Sequence, residues 1–275
     1  MMHDLRTEGL HLGYDGHAVV HGVDLVVPDG EVTVVVGANA SGKSTLLRGL
    51  ARLLKPLDGT VLLDGEDLHR APSRKVAQVL GLLPQEPVAP DGIAVGDLVG
   101  RGRYPHQGWF RRWSPQDDVV VHRAMERTST LDLAERPVAE LSGGQRQRVW
   151  IAMALAQDPD VLLLDEPTTF LDLAHQVDVL DLLSELNREH GTTVVMVLHE
   201  LNLAARYADH LVVMAEGRVV TTGPPAQVLT EEIVASAFGL SAQVVPDPVY
   251  GSPMVVPVGR LPVPDGAVPP PGPVV

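Results

Sequence analysis

The sequence predicts an α/β fold with a mainly parallel sheet that is covered by helices on both faces. Residues 161–164, 194–198 and 211–214 are short, exclusively apolar runs, which is the pattern of strands buried on both sides. Helical patterns such as residues 175–189 separate these runs, and such alternation is typical of a parallel sheet. The length of 275 residues allows one large domain or two small ones with a substantial core.

Composition excludes several classes of protein. Hydrophobic residues make up 45% of the chain and charged residues 20%, as in ordinary globular proteins. The formal net charge of -14 repels phosphate backbones, so we expect no nucleic-acid partner. The absence of cysteine excludes disulfides, thiolate metal sites and a cysteine nucleophile. No apolar run is as long as a membrane span, and residues 1–7 lack the apolar core of a signal peptide, so we expect a cytoplasmic chain.

Residues 5–64 are predicted to form mainly short strands. Apolar alternation continues as far as Val27, and Pro28-Asp29-Gly30 is a strong turn signal. Residues 31–36 then form a buried strand, and residues 44–54 carry apolar side chains at helical spacing. We therefore expect an antiparallel β subdomain on the N-terminal side of the central sheet.

The chain changes character from about residue 94 to residue 157, where we expect a helical insertion. Ser114-Pro115-Gln116-Asp117 is typical of a helix start, because a serine cap precedes a proline at the first position and an acid in the first turn. Residues 146–157 carry apolar side chains at helical spacing. The whole domain is expected to span residues 1–240.

Two smaller segments follow this domain. Short β-like runs at residues 243–245 and 254–258 predict a small C-terminal β extension over residues 241–260. Residues 261–275 are rich in proline, glycine and valine without periodicity, and we expect them to be a disordered tail.

A glycine-rich loop lies between the predicted strand at residues 31–36 and the helix that follows it. Its sequence fits G-x-x-x-x-G-K-[ST], in which glycines let backbone N–H groups surround an anion at a helix N-terminus. Lys43 is expected to reach the β- and γ-phosphates, and Ser44 to ligate Mg²⁺. The predicted nucleotide-binding residues are Gly37, Ala38, Asn39, Ala40, Ser41, Gly42, Lys43, Ser44 and Thr45. The loop predicts a P-loop NTPase core that binds a nucleoside triphosphate.

Two acids end the apolar run at residues 161–164. Asp165 can hold Mg²⁺ through water, and Glu166 is placed to polarise an attacking water. Together with the phosphate loop, they predict hydrolysis of the bound nucleotide.

A second anion-binding helix start is predicted at Leu141-Ser142-Gly143-Gly144-Gln145. One nucleotide needs only one such cradle, so the second implies a partner subunit. This run resembles that of the ATP-binding subunit of an ABC transporter. The resemblance implies a head-to-tail homodimer in which Ser142, Gly144 and Gln145 of one copy contact the ATP held by the phosphate loop of the other.

Further motifs extend the resemblance over residues from about 5 to 260. It implies that Tyr14 stacks on adenine and that Gln85 contacts Mg²⁺ and water and couples to the membrane subunit. It also implies that His199 contacts the γ-phosphate. Glu200 departs from the family, which more often has aspartate after that histidine. Leu171-Asp172 resembles the loop that crosses the dimer interface.

The resemblance therefore assigns ATP and Mg²⁺ as cofactors. The expected catalytic residues are Lys43, Gln85, Glu166 and His199. The expected Mg²⁺ ligands are Ser44, Gln85 and Asp165.

The run Arg101-Gly102-Arg103-Tyr104-Pro105-His106-Gln107, with the aromatic and arginine residues 109–113, has the composition of an exposed, adaptable interface. The alternative is a solvated loop. The run resembles the ATP-binding subunits of bacterial ferric-siderophore importers, as do residues 167–172 and 239–260.

This resemblance implies an ATPase at the cytoplasmic face of the membrane. It would power import of an iron–siderophore complex through a separate membrane permease, with a substrate-binding protein acting indirectly. A cobalamin or haem importer, a soluble ABC ATPase and a nucleotide-binding module without turnover are the alternatives.

Overall fold

Three sheets organise the part of the chain that the computed structural model describes, residues 3–107, 113–169 and 171–258. The N-terminal elements are β1 (Leu5–Tyr14), β2 (His17–Val27), β3 (Val32–Gly37), α1 (Lys43–Leu50), β4 (Asp58–Leu63), β5 (Glu66–Asp67), α2 (Ser73–Val79) and β6 (Leu80–Leu83). The first sheet is antiparallel, with strand order β2-β1-β4-β5. It is the β subdomain that the N-terminal alternation predicts.

The middle of the chain is helical. It contains α3 (Val95–Gly100), a 3₁₀ helix (Arg101–His106), α4 (Pro115–Arg127), two short 3₁₀ turns (Leu131–Leu133 and Val138–Glu140) and α5 (Gly143–Ala156). Ser114 caps α4 in a reciprocal box with Asp117, as its sequence predicts.

The C-terminal elements alternate again between strands and helices. They are β7 (Val161–Asp165), α6 (Leu173–His190), β8 (Thr193–Val197), α7 (Leu201–Tyr207), β9 (His210–Ala215), β10 (Arg218–Gly223), α8 (Pro225–Val228), α9 (Glu231–Phe238), β11 (Ala242–Pro246) and β12 (Pro253–Pro257). Among the residues described, no helix has both the length and the apolar character required to cross a bilayer.

The central sheet has six strands in the order β10-β9-β3-β8-β7-β6. Five neighbouring strands of this sheet, β9, β3, β8, β7 and β6, are parallel. The sixth, β10, pairs with β9 in the antiparallel direction at the edge. Successive residues of β3 enter opposite hydrophobic cores, since Val34 packs with the helical segment and Val35 with α1 and the β subdomain. The predicted α/β class is confirmed. The sheet brings the carboxyl ends of its parallel strands to one edge.

The helix predicted over residues 44–54 ends earlier, at Leu50. Arg52 adopts a left-handed φ of 62°, and Leu53 N donates to Arg48 O at 2.8 Å, so the chain leaves the helix in a closing turn. Apolar spacing could not reveal this end, because Leu53 continues the pattern although its side chain is exposed.

The run at residues 101–107 is not the exposed patch that its composition suggests. Arg103 is buried and its guanidinium pairs with Asp117 at 2.9 Å and donates to Ala156 O at 2.9 Å. Gly102 lies so close to Met153 O that any Cβ would collide with it. Only part of the run, notably Tyr104, faces solvent. The prediction was therefore wrong for Gly102 and Arg103, and residues 108–112 lie outside the described residues.

The last two strands pair as an antiparallel hairpin that packs on α7. Asn202 accepts from Val255 N at 2.7 Å and donates to Val255 O at 3.3 Å, while Arg206 lies over the Tyr250 ring. The predicted tail at residues 261–275 lies outside the described residues. The domain boundaries at residues 240 and 260 stay predictions.

Candidate nucleotide-binding site

The loop between β3 and α1 has a backbone that only particular residues can adopt. Ala40 and Gly42 have left-handed φ angles of 63° and 99°. A Cβ at Gly37 would collide with Met214 O and Ser41 Oγ. The glycines therefore allow a tight turn whose N–H groups lead into the free amides at the start of α1.

Lys43 and Ser41 point buried polar groups into this loop. The Lys43 ammonium donates to Gly37 O and Ala38 O, each at 2.9 Å. Burial lowers the pKa of Lys43, and the charges of Glu166 and Asp165 partly oppose that shift. The buried Ser41 hydroxyl has no hydrogen-bond partner among the described residues. Such groups suit an incoming anion that offers several oxygens.

Ser44 and Asp165 meet at the same edge of the sheet. Ser44 Oγ donates to Asp165 Oδ1 at 2.8 Å. Burial at the end of β7 raises the pKa of Asp165, the Ser44 bond opposes this and the charge of Glu166 adds to it. A bound divalent cation would stabilise the charged carboxylate and so oppose this rise in the pKa of Asp165.

These two oxygens fit Mg²⁺, which is commonly held by one or two carboxylates plus substrate phosphates. The described residues contain no cluster of three or more histidine or acidic side chains that could hold a metal alone. The Ser44 and Asp165 oxygens therefore fit a cation that takes its other ligands from a bound nucleotide.

Three side chains converge on the Glu166 carboxylate. Gln85 Nε2 donates to Oε2 at 2.7 Å, Thr169 Oγ1 donates to Oε2 at 3.0 Å, and His199 Nε2 lies 2.5 Å from Oε1. Glu166 itself has a left-handed φ of 53°, an uncommon conformation for a non-glycine residue. Its side chain is 9% exposed and that of His199 is 44% exposed, so the carboxylate lies at the floor of an open site.

A cavity of about 460 Å³ joins the loop to these side chains. It is lined by Asn39, Ala40, Ser41, Gly42, Lys43, Ser44 and Thr45 together with Val19, Glu166 and His199. The structure therefore brings together residues that are far apart in the sequence. Gln85 and Asp165 join this group through the hydrogen bonds to Glu166 and Ser44.

Tyr14 stands apart from that cavity. Its ring is exposed, and its hydroxyl accepts from Arg48 of α1 at 3.2 Å. Tyr14 is not among the residues lining the cavity, so its contact with adenine stays a prediction.

The run at residues 141–145 is also outside the cavity. Ser142 Oγ accepts from Gln145 N at 3.3 Å, and Gln145 Oε1 accepts from Ser142 N at 3.1 Å. Gly144 lies against the His175 ring, which is held by Asp172 at 2.7 Å. Within one copy, these residues cap α5 and contact the start of α6.

Sequence reasoning missed two residues of the site, Val19 and Thr169, and one residue beside the α5 start, His175. Val19 lines the cavity from β2, and its position on an alternating strand offered no signal. His175 packs on Gly144, a contact between separate helices that spacing cannot reveal. Thr169 follows Glu166 by three residues in the turn after β7, and its side chain donates to that carboxylate, a contact that the sequence alone does not display.

A phosphate loop, a buried lysine and a strand-end carboxylate pair on this sheet define the class of P-loop nucleotide-binding proteins. The family model described as "ABC transporter" matches residues 20–169. The achromobactin transport ATP-binding protein CbrD of Dickeya dadantii is 55% identical over 93% of this chain and 95% of its own length. The ferric enterobactin transport ATP-binding protein FepC of Escherichia coli is 50% identical over 93% of this chain and 94% of its own.

Solved structures agree with this relationship. A putative metal-chelate type ABC transporter in an inward-facing conformation superposes with a TM-score of 0.80 and 30% identity, covering 94% of this chain and 98% of its own. A dimeric bacterial ABC transporter cassette gives a TM-score of 0.71 and 26% identity, covering 80% of this chain and 98% of its own. The chain belongs to the ABC transporter family, as an ATP-binding subunit with ATPase activity.

Proposed function

We propose that this chain hydrolyses ATP to power import of an iron–siderophore complex through a separate membrane permease. The observation that carries the chemistry is the Glu166 carboxylate held beside Lys43 and His199 at the mouth of the phosphate loop. The observation that favours this cargo is high identity along nearly the whole chain to relatives named for achromobactin and ferric enterobactin transport.

Nucleotide binding begins with an exchange of partners at Lys43. Its ammonium leaves the Gly37 and Ala38 carbonyls, which it contacts at 2.9 Å, for the β- and γ-phosphate oxygens of ATP. The loop amides and the start of α1 add further positive potential. Tyr14 stacks on the adenine, and its ring adds affinity for the base rather than for the phosphates.

Ser44, Gln85 and Asp165 are the proposed Mg²⁺ ligands. When bound, Mg²⁺ supplies charge neutralisation at the β- and γ-phosphates. Ser44 and Asp165 already hydrogen-bond to each other at 2.8 Å, so their oxygens converge before nucleotide arrives.

Glu166 is the proposed general base. Its carboxylate accepts a proton from the water whose oxygen forms a bond to the γ-phosphorus, while the bond between that phosphorus and the ADP oxygen breaks. His199, whose Nε2 lies 2.5 Å from Glu166 Oε1, contacts the γ-phosphate when ATP is bound and holds the carboxylate on its other side. Hydrolysis thus depends on how these residues position the water and the γ-phosphate more than on any covalent bond to the protein.

The proposed active unit is a head-to-tail homodimer. The helix start at Ser142, Gly144 and Gln145 of one copy would complete the phosphate site of the other, because within one copy it lines no part of the cavity. ATP binding would close the dimer and hydrolysis would allow it to open, which moves the attached permease. Gln85 connects the nucleotide site to that movement. The permease would hold the ATPase at the cytoplasmic face, and a substrate-binding protein would act indirectly.

Reconstitution of the chain with its membrane permease and substrate-binding protein tests the proposal. ATP-dependent uptake of a radiolabelled ferric siderophore into vesicles is expected, and Glu166→Gln should abolish it. Uptake of cobalamin or haem with no ferric siderophore transport would assign the chain to the alternative cargo. ATPase activity that never responds to the permease would contradict a role in transport.

A further inference from the structure

We infer that Thr169 is a positioning residue that keeps the Glu166 carboxylate oriented during hydrolysis. This inference rests on the proposed role of Glu166. It is carried by the Thr169 Oγ1 bond to Glu166 Oε2 at 3.0 Å, in the turn that follows β7.

The three side chains that contact the Glu166 carboxylate are not equivalent. Gln85 follows β6 and His199 follows β8, so each reaches Glu166 from another strand end. In the proposed mechanism both have a second partner, since Gln85 contacts Mg²⁺ and His199 contacts the γ-phosphate. Thr169 has no second partner in this mechanism. When Gln85 and His199 turn towards the nucleotide, Thr169 is the donor that stays with the carboxylate.

The backbone gives Thr169 a fixed position relative to Glu166. Thr169 N donates to Glu166 O at 3.2 Å, so a main-chain bond and a side-chain bond join the same two residues. Glu166 occupies a left-handed φ of 53°, a conformation that persists when the surrounding structure determines it. Buried Pro167 restricts the intervening chain further. The turn therefore controls both the backbone and the carboxylate of the proposed base.

This arrangement has a direct consequence for chemistry. Thr169 occupies one lone-pair direction of Oε2 and limits rotation of the carboxylate plane, which leaves a defined direction for the attacking water. Loss of the hydroxyl should slow the chemical step while the nucleotide contacts of Lys43 and the loop amides remain.

Thr169→Val tests the inference because valine retains the shape and removes the hydroxyl. We expect kcat to fall about 10-fold, as for other residues that orient a reacting group, with the KM for ATP within about twofold of wild type. Thr169→Ser keeps the hydroxyl and should restore most of kcat. Thr168→Val is the matched control, because the Thr168 hydroxyl makes no hydrogen bond to any described residue; it should leave kcat unchanged.

A double-mutant cycle separates positioning from general damage to the fold. Thr169→Val should lower kcat in the wild-type background but not further in Glu166→Gln, since the carboxylate that it orients is then absent. Equal fold losses in both backgrounds, or a wild-type kcat for Thr169→Val, would overturn the inference. Normal turnover by the Glu166→Gln single variant would instead contradict the proposed role of Glu166, and no double variant is needed to see it. Thermal unfolding of each variant identifies any that fold poorly, and Thr169→Ser then decides.

Discussion

Two glycine-rich helix starts, at α1 and at α5, differ in how far they are prepared for an anion. The start of α1 holds a buried lysine and a buried Ser41 hydroxyl without a partner among the described residues, and it opens onto a cavity. At the start of α5, Ser142 and Gln145 satisfy each other in a capping box, and Ser142 is exposed.

This difference indicates that the two helix starts would bind a nucleotide in different ways. The α1 loop carries buried polar groups that suit an anion, so we expect a single copy to bind ATP. In the proposed dimer, the α5 start would exchange its own cap for phosphate oxygens when a second copy presents ATP. A site divided in this way would make closure of the dimer depend on nucleotide.

Glu166→Gln should separate closure from chemistry with the largest effect. ATP binding should survive while kcat falls about 10²- to 10⁴-fold, the range for loss of a general base, so the variant should accumulate as an ATP-bound dimer. Size-exclusion chromatography with ATP at low Mg²⁺ measures this. Adding Ser142→Arg should abolish the dimer, because a bulky cation blocks the α5 cradle. A Glu166→Gln protein that stays monomeric and hydrolyses ATP normally would refute the divided site.

Lys43→Ala should impair phosphate binding at the start of α1. Removing one partner of a buried charged contact costs about 2–5 kcal/mol, so ATP affinity should fall by about 30-fold or more, with hydrolysis lost in parallel. Isothermal titration with ATP measures the Kd. Arg48→Ala is the comparison, because it removes another positive charge of α1 whose guanidinium donates only to the Tyr14 hydroxyl among the described residues. Wild-type affinity in Lys43→Ala would remove the loop from the site.

Local motifs were the most predictable part of the site. The order strand, glycine-rich loop and helix placed residues 37–45, and the acids after an apolar run placed Asp165 and Glu166 at the same sheet edge. These features depend on neighbours in the chain, which the sequence displays directly. The parallel sheet was predictable for the same reason, since runs such as residues 194–198 are apolar throughout.

Contacts between distant segments were not predictable. The composition around Arg103 predicts an exposed interface residue, but Asp117 and Ala156 O lie beside its guanidinium. A charged side chain is usually solvated, and only the packing of α4 against α5 shows that this one is paired. Val19 and His175 were missed for the same reason, because each meets the site or its surroundings from another element.

Tyr14→Ala tests whether the α1 cradle extends to the nucleotide base. If the ring stacks on adenine, ATP affinity should weaken by about 1–3 kcal/mol, and inorganic triphosphate should bind as in wild type because it has no base. Competition titrations with both ligands measure the difference. Equal losses for ATP and triphosphate would point to an effect through Arg48, to which the Tyr14 hydroxyl is bonded, rather than to stacking.

Ser142→Ala has the smallest expected effect on the single copy and bears most directly on the comparison. Loss of the cap should reduce the free energy of unfolding by about 1 kcal/mol. Ser114→Ala is a matched control, because Ser114 forms the equivalent capping box at α4 and should cost about the same.

The two variants should nevertheless differ in assembly. In the Glu166→Gln background, only Ser142→Ala should weaken the ATP-bound dimer, since its hydroxyl changes from capping α5 to contacting the partner's ATP. Denaturant titrations give the stability of each variant, and sedimentation velocity with ATP gives the dimer fraction. If Ser114→Ala and Ser142→Ala dimerise equally well at equal stability, the hydroxyl serves only as a cap, and the α5 start is not a cradle for nucleotide through Ser142.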